Sequence, residues 1–300
     1  MMGELAALGA ALSWTFSAVL YKEALLKTKP ISANIARLTC TSAILLGFLT
    51  AFGKTEILRN LPLYAVFLAC ISGIIGLGFG DTLYMYSLKL IGVARAVPIT
   101  CIYPLFNLSF AIFFLKEAVT LPIVFGATII VLGIVLLSSK EKEESTLETQ
   151  KGNLVKGVSS ALAAALMWSV SITLMDMAVT LPETSDLDNA LAINTIRTMA
   201  IAVLLLITSP ITDRNFGFLK MQRRTLVMLI SGGIIALGLG WFFLAYSFIH
   251  APEARAVPIS STTPLFSTLF AILFLHERVT LKSAVGAVMV VAGIFLIFLF

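Results

Sequence analysis

Apolar runs of about 20 residues follow one another along this 300-residue chain. A helix of that length crosses the roughly 30 Å hydrocarbon core of a bilayer. No other feature narrows the possible folds as far. Charged residues make up 12% of the chain, against about 25% in a soluble domain, and the mean hydropathy is +1.00. In lipid the backbone must satisfy its own hydrogen bonds, which leaves helix bundles and closed barrels. Barrel strands alternate polar and apolar residues over ~10 positions; these runs are longer and apolar on every side. The expectation is an all-α polytopic membrane protein, multi-pass in the cell membrane.

Polar punctuation divides the chain into ten expected transmembrane helices, at 3–25, 31–52, 62–88, 93–115, 120–138, 154–179, 189–209, 225–249, 253–275 and 280–300. The opening MMGELAALGAALSW reads as a retained first span: Glu4 stands where a secretory signal carries a base, and the apolar stretch continues past Leu20.

The two halves are copies. ARAVPI at 94–99 recurs at 254–259, and the segments 94–121 and 254–281 align without a gap. GIIGLGFG at 73–80 matches GIIALGLG at 233–240 at the same offset of 160, as Asn34 and Arg37 match Asn194 and Arg197. Trp14 matches Trp168 at an offset of 154, the stretch around PETSDLDN making up the difference. The expected units are a first repeat at 1–139, a charged linker at 140–152 and a second repeat at 153–300. Five helices per copy is an odd number, so the second copy enters the membrane from the opposite face. Inverted-topology repeats of this kind underlie many secondary transporters.

Each half reads roughly G-x-x-x-x-x-Y-S, A-x-A-x-P-I-x-x-x-x-P-L-F, F-L-x-E-x-x-T-L and G-x-x-x-x-x-x-G. The first copy carries Tyr86-Ser87, Pro98, Pro104-Leu105-Phe106, Glu117, Thr120, Gly126 and Gly133; the second carries Tyr246-Ser247, Pro258, Pro264-Leu265-Phe266, Glu277, Thr280, Gly286 and Gly293. This doubled pattern resembles the EamA-type repeat of the drug/metabolite transporter superfamily over nearly the whole chain. The resemblance implies a ten-helix, basket-like carrier of small metabolites, often an exporter. The arginine inside ARAVPI departs from the family pattern.

Ionisable groups inside a membrane are costly and mark pathways or pairs. Asp81 is the foremost candidate, and its counterpart in the second half is Trp241. Either it binds a cationic substrate or the coupling proton, or it pairs with an arginine such as Arg95 or faces water near a helix end. Asp176 reads as an interfacial group. Arg37 and Arg197 can snorkel to the headgroups, and their recurrence in both halves suits a structural role such as tying a helix end to a neighbouring carbonyl. Glu117 and Glu277 read as ties at helix corners, with Thr120 and Thr280 capping the next helices.

Pro104 and Pro264 fall well inside their spans and free backbone carbonyls, which is tolerated where helices pack or line a cavity. Tyr103 and Asn107 flank Pro104, either as substrate lining or as partners for the freed backbone. Trp14, Trp168, Trp241 and Tyr84 complete the candidate substrate-binding or coupling set with Asp81. Arg95 with Pro98, and Arg255 with Pro258, form a candidate pair of gates near opposite membrane faces; the alternative is that each arginine snorkels at a helix start. The glycine runs, lying within apolar spans, read as packing and hinge positions.

Cys40, Cys70 and Cys101 have no close partners, so no disulfide framework, metal site or cofactor is expected. His250 and His276 lie at span ends, and HExxH and GxSxG are absent, so neither catalytic residues nor enzyme activity is expected. The bases of 140–156 are interleaved with glutamates, which makes a solvated linker and no nucleic-acid patch. The leading expectation is a secondary active transporter of an amino acid or other amphipathic metabolite, possible partners being the lipid bilayer and a coupling proton. The alternative is a lipid scramblase, flippase or channel-like pore. The lysine and arginine count over loops places both termini outside, whereas the resemblance places them in the cytoplasm. Monomer and homodimer both stay open.

Overall fold

The structure is a computed structural model. It describes residues 1–25, 27–91, 96, 99–138, 151–266, 269–270 and 281–299. Arg95, Pro98, Ser267, His276, Glu277, Thr280 and the linker from 140 to 150 lie outside these.

The described residues are all-helical, without a strand. The helices are α1 Met2–Leu25, α2 Pro30–Ala51, α3 Thr55–Asn60, α4 Leu63–Ser72, α5 Asp81–Ile91, α6 Tyr103–Phe110 and α7 Leu121–Ser138 in the first half. The second half has α8 Lys151–Val179, α9 Leu187–Thr212, α10 Arg223–Gly233, α11 Trp241–His250, α12 Glu253–Ser260 and α13 Leu281–Leu299. Five continuous stretches among the described residues are long and apolar enough to cross a membrane: Pro30–Ala51, Leu63–Tyr84, Asn153–Val179, Leu187–Thr212 and Arg223–His250. Tyr103–Leu115, Leu121–Leu136 and Ala284–Leu299 are shorter apolar helices.

The glycine runs widen their helices. Gly73–Gly80 joins α4 to α5 as a π-helical segment, and Ile234–Gly240 joins α10 to α11 in the same way. A π turn carries one more residue than an α turn and recurs at functional sites. The absence of side chains lets neighbours close in. A Cβ on Gly80 would lie 2.7 Å from the Trp168 ring, and one on Gly240 would lie 2.6 Å from the Trp14 indole nitrogen. Each tryptophan of one half is therefore seated on a glycine of the other.

The halves interlock through equivalent helices. α1 packs against α10 and α11, while α8 packs against α4 and α5. α2 lies along α9, and α7 lies along α13. In the last pair Gly126 meets Gly293 and Gly133 meets Gly286, so the two helices run antiparallel.

The prolines correct one expectation. Residues 93–115 were expected as one span with Pro104 in mid-helix. Instead the chain turns at 101–102 and restarts at α6, where Pro104 occupies the first turn. A proline there loses no helical hydrogen bond. The second half turns at 261–262, after α12. The bonds match position for position: Ile102 N–H to Ile99 O at 3.4 Å and Leu105 N–H to Ile102 O at 2.9 Å, against Thr262 N–H to Ile259 O at 3.2 Å and Leu265 N–H to Thr262 O at 2.9 Å.

Candidate functional site

Asp81 is the first residue after the π segment, and its carboxylate meets α2 and α8. Oδ2 accepts from the Arg37 guanidinium. Oδ1 accepts from the Trp168 indole at 3.0 Å. Arg37 is held from behind, its Nε donating to Asn34 Oδ1 at 2.8 Å, and its guanidinium lies 5.1 Å from the centre of the Tyr21 ring. Asn34 in turn donates to Leu77 O at 3.3 Å. Trp168 is flanked by Tyr84 and Tyr103, with ring centres at 5.1 and 6.3 Å. Four of the predicted residues, Asp81, Tyr84, Tyr103 and Trp168, thus form one cluster. All four are half-buried, leaving an aromatic face with a carboxylate at its base. That surface suits an amphipathic molecule carrying a cationic group.

The second half builds the same frame with a different filling. Asn194 donates to Leu237 O at 2.7 Å, as Asn34 does to Leu77. Where Arg37 finds Asp81, Arg197 finds Trp241, the residue at the equivalent position. The Arg197 guanidinium lies 3.6 Å from the centre of the Trp241 ring, a cation–π contact in place of an ion pair. Nε and Nη2 of Arg197 donate to Ser72 and Ser171 hydroxyls at 2.8 and 2.9 Å. Trp14 meets Trp241 edge-on at 5.6 Å and donates to Ala236 O at 3.2 Å.

These contacts correct the reading of both arginines as snorkelling groups. Arg37 is 7% exposed and Arg197 0% exposed. A desolvated guanidinium is retained only where acceptors or a π face replace its water, and each half supplies a different replacement.

The turns at 101–102 and 261–262 lie beside the tryptophans. Ser169 donates to Tyr103 O at 2.9 Å, and Thr15 donates to Thr263 O at 3.3 Å. Each hydroxyl follows a tryptophan directly in sequence, so α1 and α8 supply both an aromatic wall and a partner for the interrupted backbone.

Asn107 belongs to a third group. It is buried, and its Nδ2 donates to Ser169 O at 3.2 Å, to Thr173 Oγ1 at 3.4 Å and to Glu253 Oε1. Glu253, the first residue of α12, is 0% exposed. Asp176, read as interfacial, is 5% exposed. The sequence carried one weak signal for Glu253: its equivalent in the first half is Val93, so the repeat does not require an acid there. Glu117 does tie a corner, and it ties the two halves: its carboxylate accepts from Glu253 N–H at 2.8 Å and Ala254 N–H at 3.0 Å. It thereby satisfies the first amides of α12, where a negative charge is favoured.

Of the candidate gates, Pro258 lies inside α12 and is buried. Arg255 is half-buried, with Nη1 at 4.0 Å from Glu4 of α1. Their counterparts Arg95 and Pro98 lie outside the described residues. Among the described residues no cluster of three metal-ligating side chains occurs.

A family model, the EamA-like transporter family, matches residues 1–139 and 155–299. The chain belongs to the EamA-like transporter family. It is 23% identical over 305 residues to an uncharacterized transporter of Archaeoglobus fulgidus, covering 100% of this chain and 99% of that one. It is 20% identical over 221 residues to an uncharacterized transporter of Clostridium kluyveri, covering 74% of this chain and 68% of the relative. A solved crystal structure shares the fold with a TM-score of 0.78 at 19% identity, over 99% of this chain and 96% of that one. The EamA-like protein described here is thus a multi-pass membrane transporter. Family membership supports the transporter reading over catalysis.

Proposed function

We propose that this EamA-like protein is a secondary active transporter, an exporter, and that it moves small organic metabolites by alternating access between two inverted five-helix repeats in the cell membrane. The observation that carries the reading is the pair of interrupted helices at 101–102 and 261–262, placed equivalently in the two halves and each held by a hydroxyl beside a tryptophan. Interrupted helices at a repeat interface are where secondary transporters bind their cargo. The antiparallel seating of α7 on α13 supports the inverted relation. The substrate class is amphipathic, amino acids first among them, resting on the aromatic faces of Tyr84, Tyr103 and Trp168 beside the Arg37–Asp81 pair.

Counterflow in proteoliposomes tests this. Liposomes preloaded with one amino acid of a panel take up its labelled form faster than empty ones if the protein is a carrier. Trp168→Ala is expected to weaken that exchange about five- to thirty-fold, the loss of a stacking wall worth about 1–2 kcal/mol. Flux without trans-stimulation points to a channel or scramblase and overturns the carrier reading.

Orientation follows the charges. The linker lies on the base-rich side, which the positive-inside rule places in the cytoplasm, with both termini outside. A single cysteine placed at Ser145, with the native cysteines replaced, is expected to react with an impermeant thiol reagent only after the cells are opened. Labelling in intact cells reverses the assignment.

A further inference from the structure

The buried polar group where α6, α8 and α12 meet carries chemistry that the aromatic site does not use. Glu253 Oε1 accepts from Asn107 Nδ2 and from the Thr173 hydroxyl, the latter at 2.9 Å. Glu253 Oε2 has no hydrogen-bond partner, and neither has Asn107 Oδ1. Both residues are 0% exposed. Turning the Asn107 amide over removes neither defect, because its nitrogen already faces a carbonyl, a hydroxyl and a carboxylate oxygen. Two acceptors without a donor therefore sit on two planar groups that are already joined by one hydrogen bond. Orphaned buried acceptors are rare in native proteins, and each calls for a missing donor.

One proton supplies what both lack. On Glu253 Oε2 it creates an O–H donor, and Asn107 Oδ1 is the orphaned acceptor on the amide already bonded to the same carboxyl. The acid and the amide then exchange two hydrogen bonds, Nδ2–H to Oε1 and Oε2–H to Oδ1.

The surrounding charges suit a neutral Glu253. The acids that bear on it are Asp176 and Glu117. Glu117 already occupies the α12 amides as the anion of the group. On its own helix Arg255 is directed to Glu4 of α1, at 4.0 Å. α6 brings Tyr103; α11 brings His250, which is exposed and bonded to Tyr246 O; α13 brings Lys282 in its first turn; and α7 has no titratable residue.

We propose that Glu253 carries an exchangeable proton shared with Asn107, and that this proton, rather than one on Asp81, is the ion coupled to transport. The coupling half rests on the transporter reading above; the proton site does not. Protonation forms the Oε2–H bond and its hydrogen bond to Asn107. Release to water on the opposite face breaks both and leaves a carboxylate beside Asp176 and Glu117, a charge the closed packing does not tolerate. Asp81 is already engaged by Arg37 and Trp168 and has no orphaned oxygen.

Infrared spectra of the full chain in lipid nanodiscs test the site directly. At neutral pH the wild type is expected to show a protonated-carboxyl C=O band that shifts in heavy water, with a component that is lost in Glu253→Gln. The glutamine keeps the fold, since its amide donates to Asn107 Oδ1 and its oxygen accepts from Nδ2. A band of unchanged intensity in Glu253→Gln, or no band in the wild type, overturns the proton site. Coupling is read in proteoliposomes by comparing amino-acid uptake with and without a pH gradient. The ratio is expected to exceed about five in the wild type and to fall to about one in Glu253→Gln. Equal ratios in both proteins overturn the coupling. If the wild type exchanges no amino acid of the panel, the transporter reading and the coupling fall together, while the infrared result still decides the proton.

Discussion

Arg37→Ala is expected to cost the folded protein about 3–5 kcal/mol, the price of leaving a buried carboxylate without its cation. Arg37 and Asp81 side chains are 9% and 15% exposed. Removing the guanidinium also frees Asn34 Oδ1. Asp81→Asn in the same chain is expected to recover most of the loss, because it removes the stranded charge while an amide still accepts from Trp168. The equivalent change in the other half, Arg197→Met, is expected to cost less. Its partners are a ring face and two hydroxyls, none of which becomes an uncompensated charge. Reversible unfolding in mixed micelles measures all three variants. Arg37→Ala and Arg197→Met of equal stability would show that the ion pair and the cation–π contact are interchangeable.

The second large effect is expected at the α7–α13 seam. Gly126→Leu places a side chain where a Cβ alone lies 2.7 Å from Ile297 Cγ1 and 2.9 Å from Gly293 O. Gly293→Leu meets Gly126 O at 2.6 Å and Ile130 Cγ1 at 2.7 Å. A side chain tip can rotate away, but a helix carbonyl cannot, so the helices must separate. Overpacking of this kind costs about 1–3 kcal/mol per site, and membrane helices have little hydrophobic driving force to restore the contact. Gly47→Leu is the control, since nothing lies within 4 Å of its Cβ position. A cysteine pair across the seam, oxidised in the wild-type background and resistant to oxidation in Gly126→Leu, reports the separation. Equal cross-linking would show that the seam can yield.

Much of the fold was legible from the chain. The apolar runs marked the helices because, in lipid, only internal hydrogen bonding allows a backbone to cross. The duplication marked which helices are equivalent, and Pro104 and Pro264 marked where two equivalent apolar segments are disturbed. The form of the disturbance was not legible. A proline removes a donor whether the helix bends or restarts, and the hydroxyls of Ser169 and Thr15 that stabilise the restart come from distant helices.

The site was half legible. Asp81, Tyr84, Tyr103 and Trp168 stood out as polar or aromatic groups in apolar runs, and they come together. The second group did not stand out. Glu253 follows a proline at a span end, where acids are ordinary, and its burial depends on Asn107 and Thr173, 146 and 80 residues away. Arg37 illustrates the same division. Its bond to Asn34, three residues earlier, is written in the helical repeat, whereas its bond to Asp81 spans 44 residues.

The sequence by itself determined that this protein is a duplicated, all-helical membrane protein, because hydropathy and repetition are properties of the chain alone; that it is a transporter follows from its family. Only the tertiary structure decided that Arg37 pairs with Asp81 while Arg197 stacks on Trp241, and that Glu253 lies buried against Asn107. A desolvated charge must be matched by whatever group packing brings within hydrogen-bonding reach, and helices that are apolar on every side do not encode which neighbour that will be.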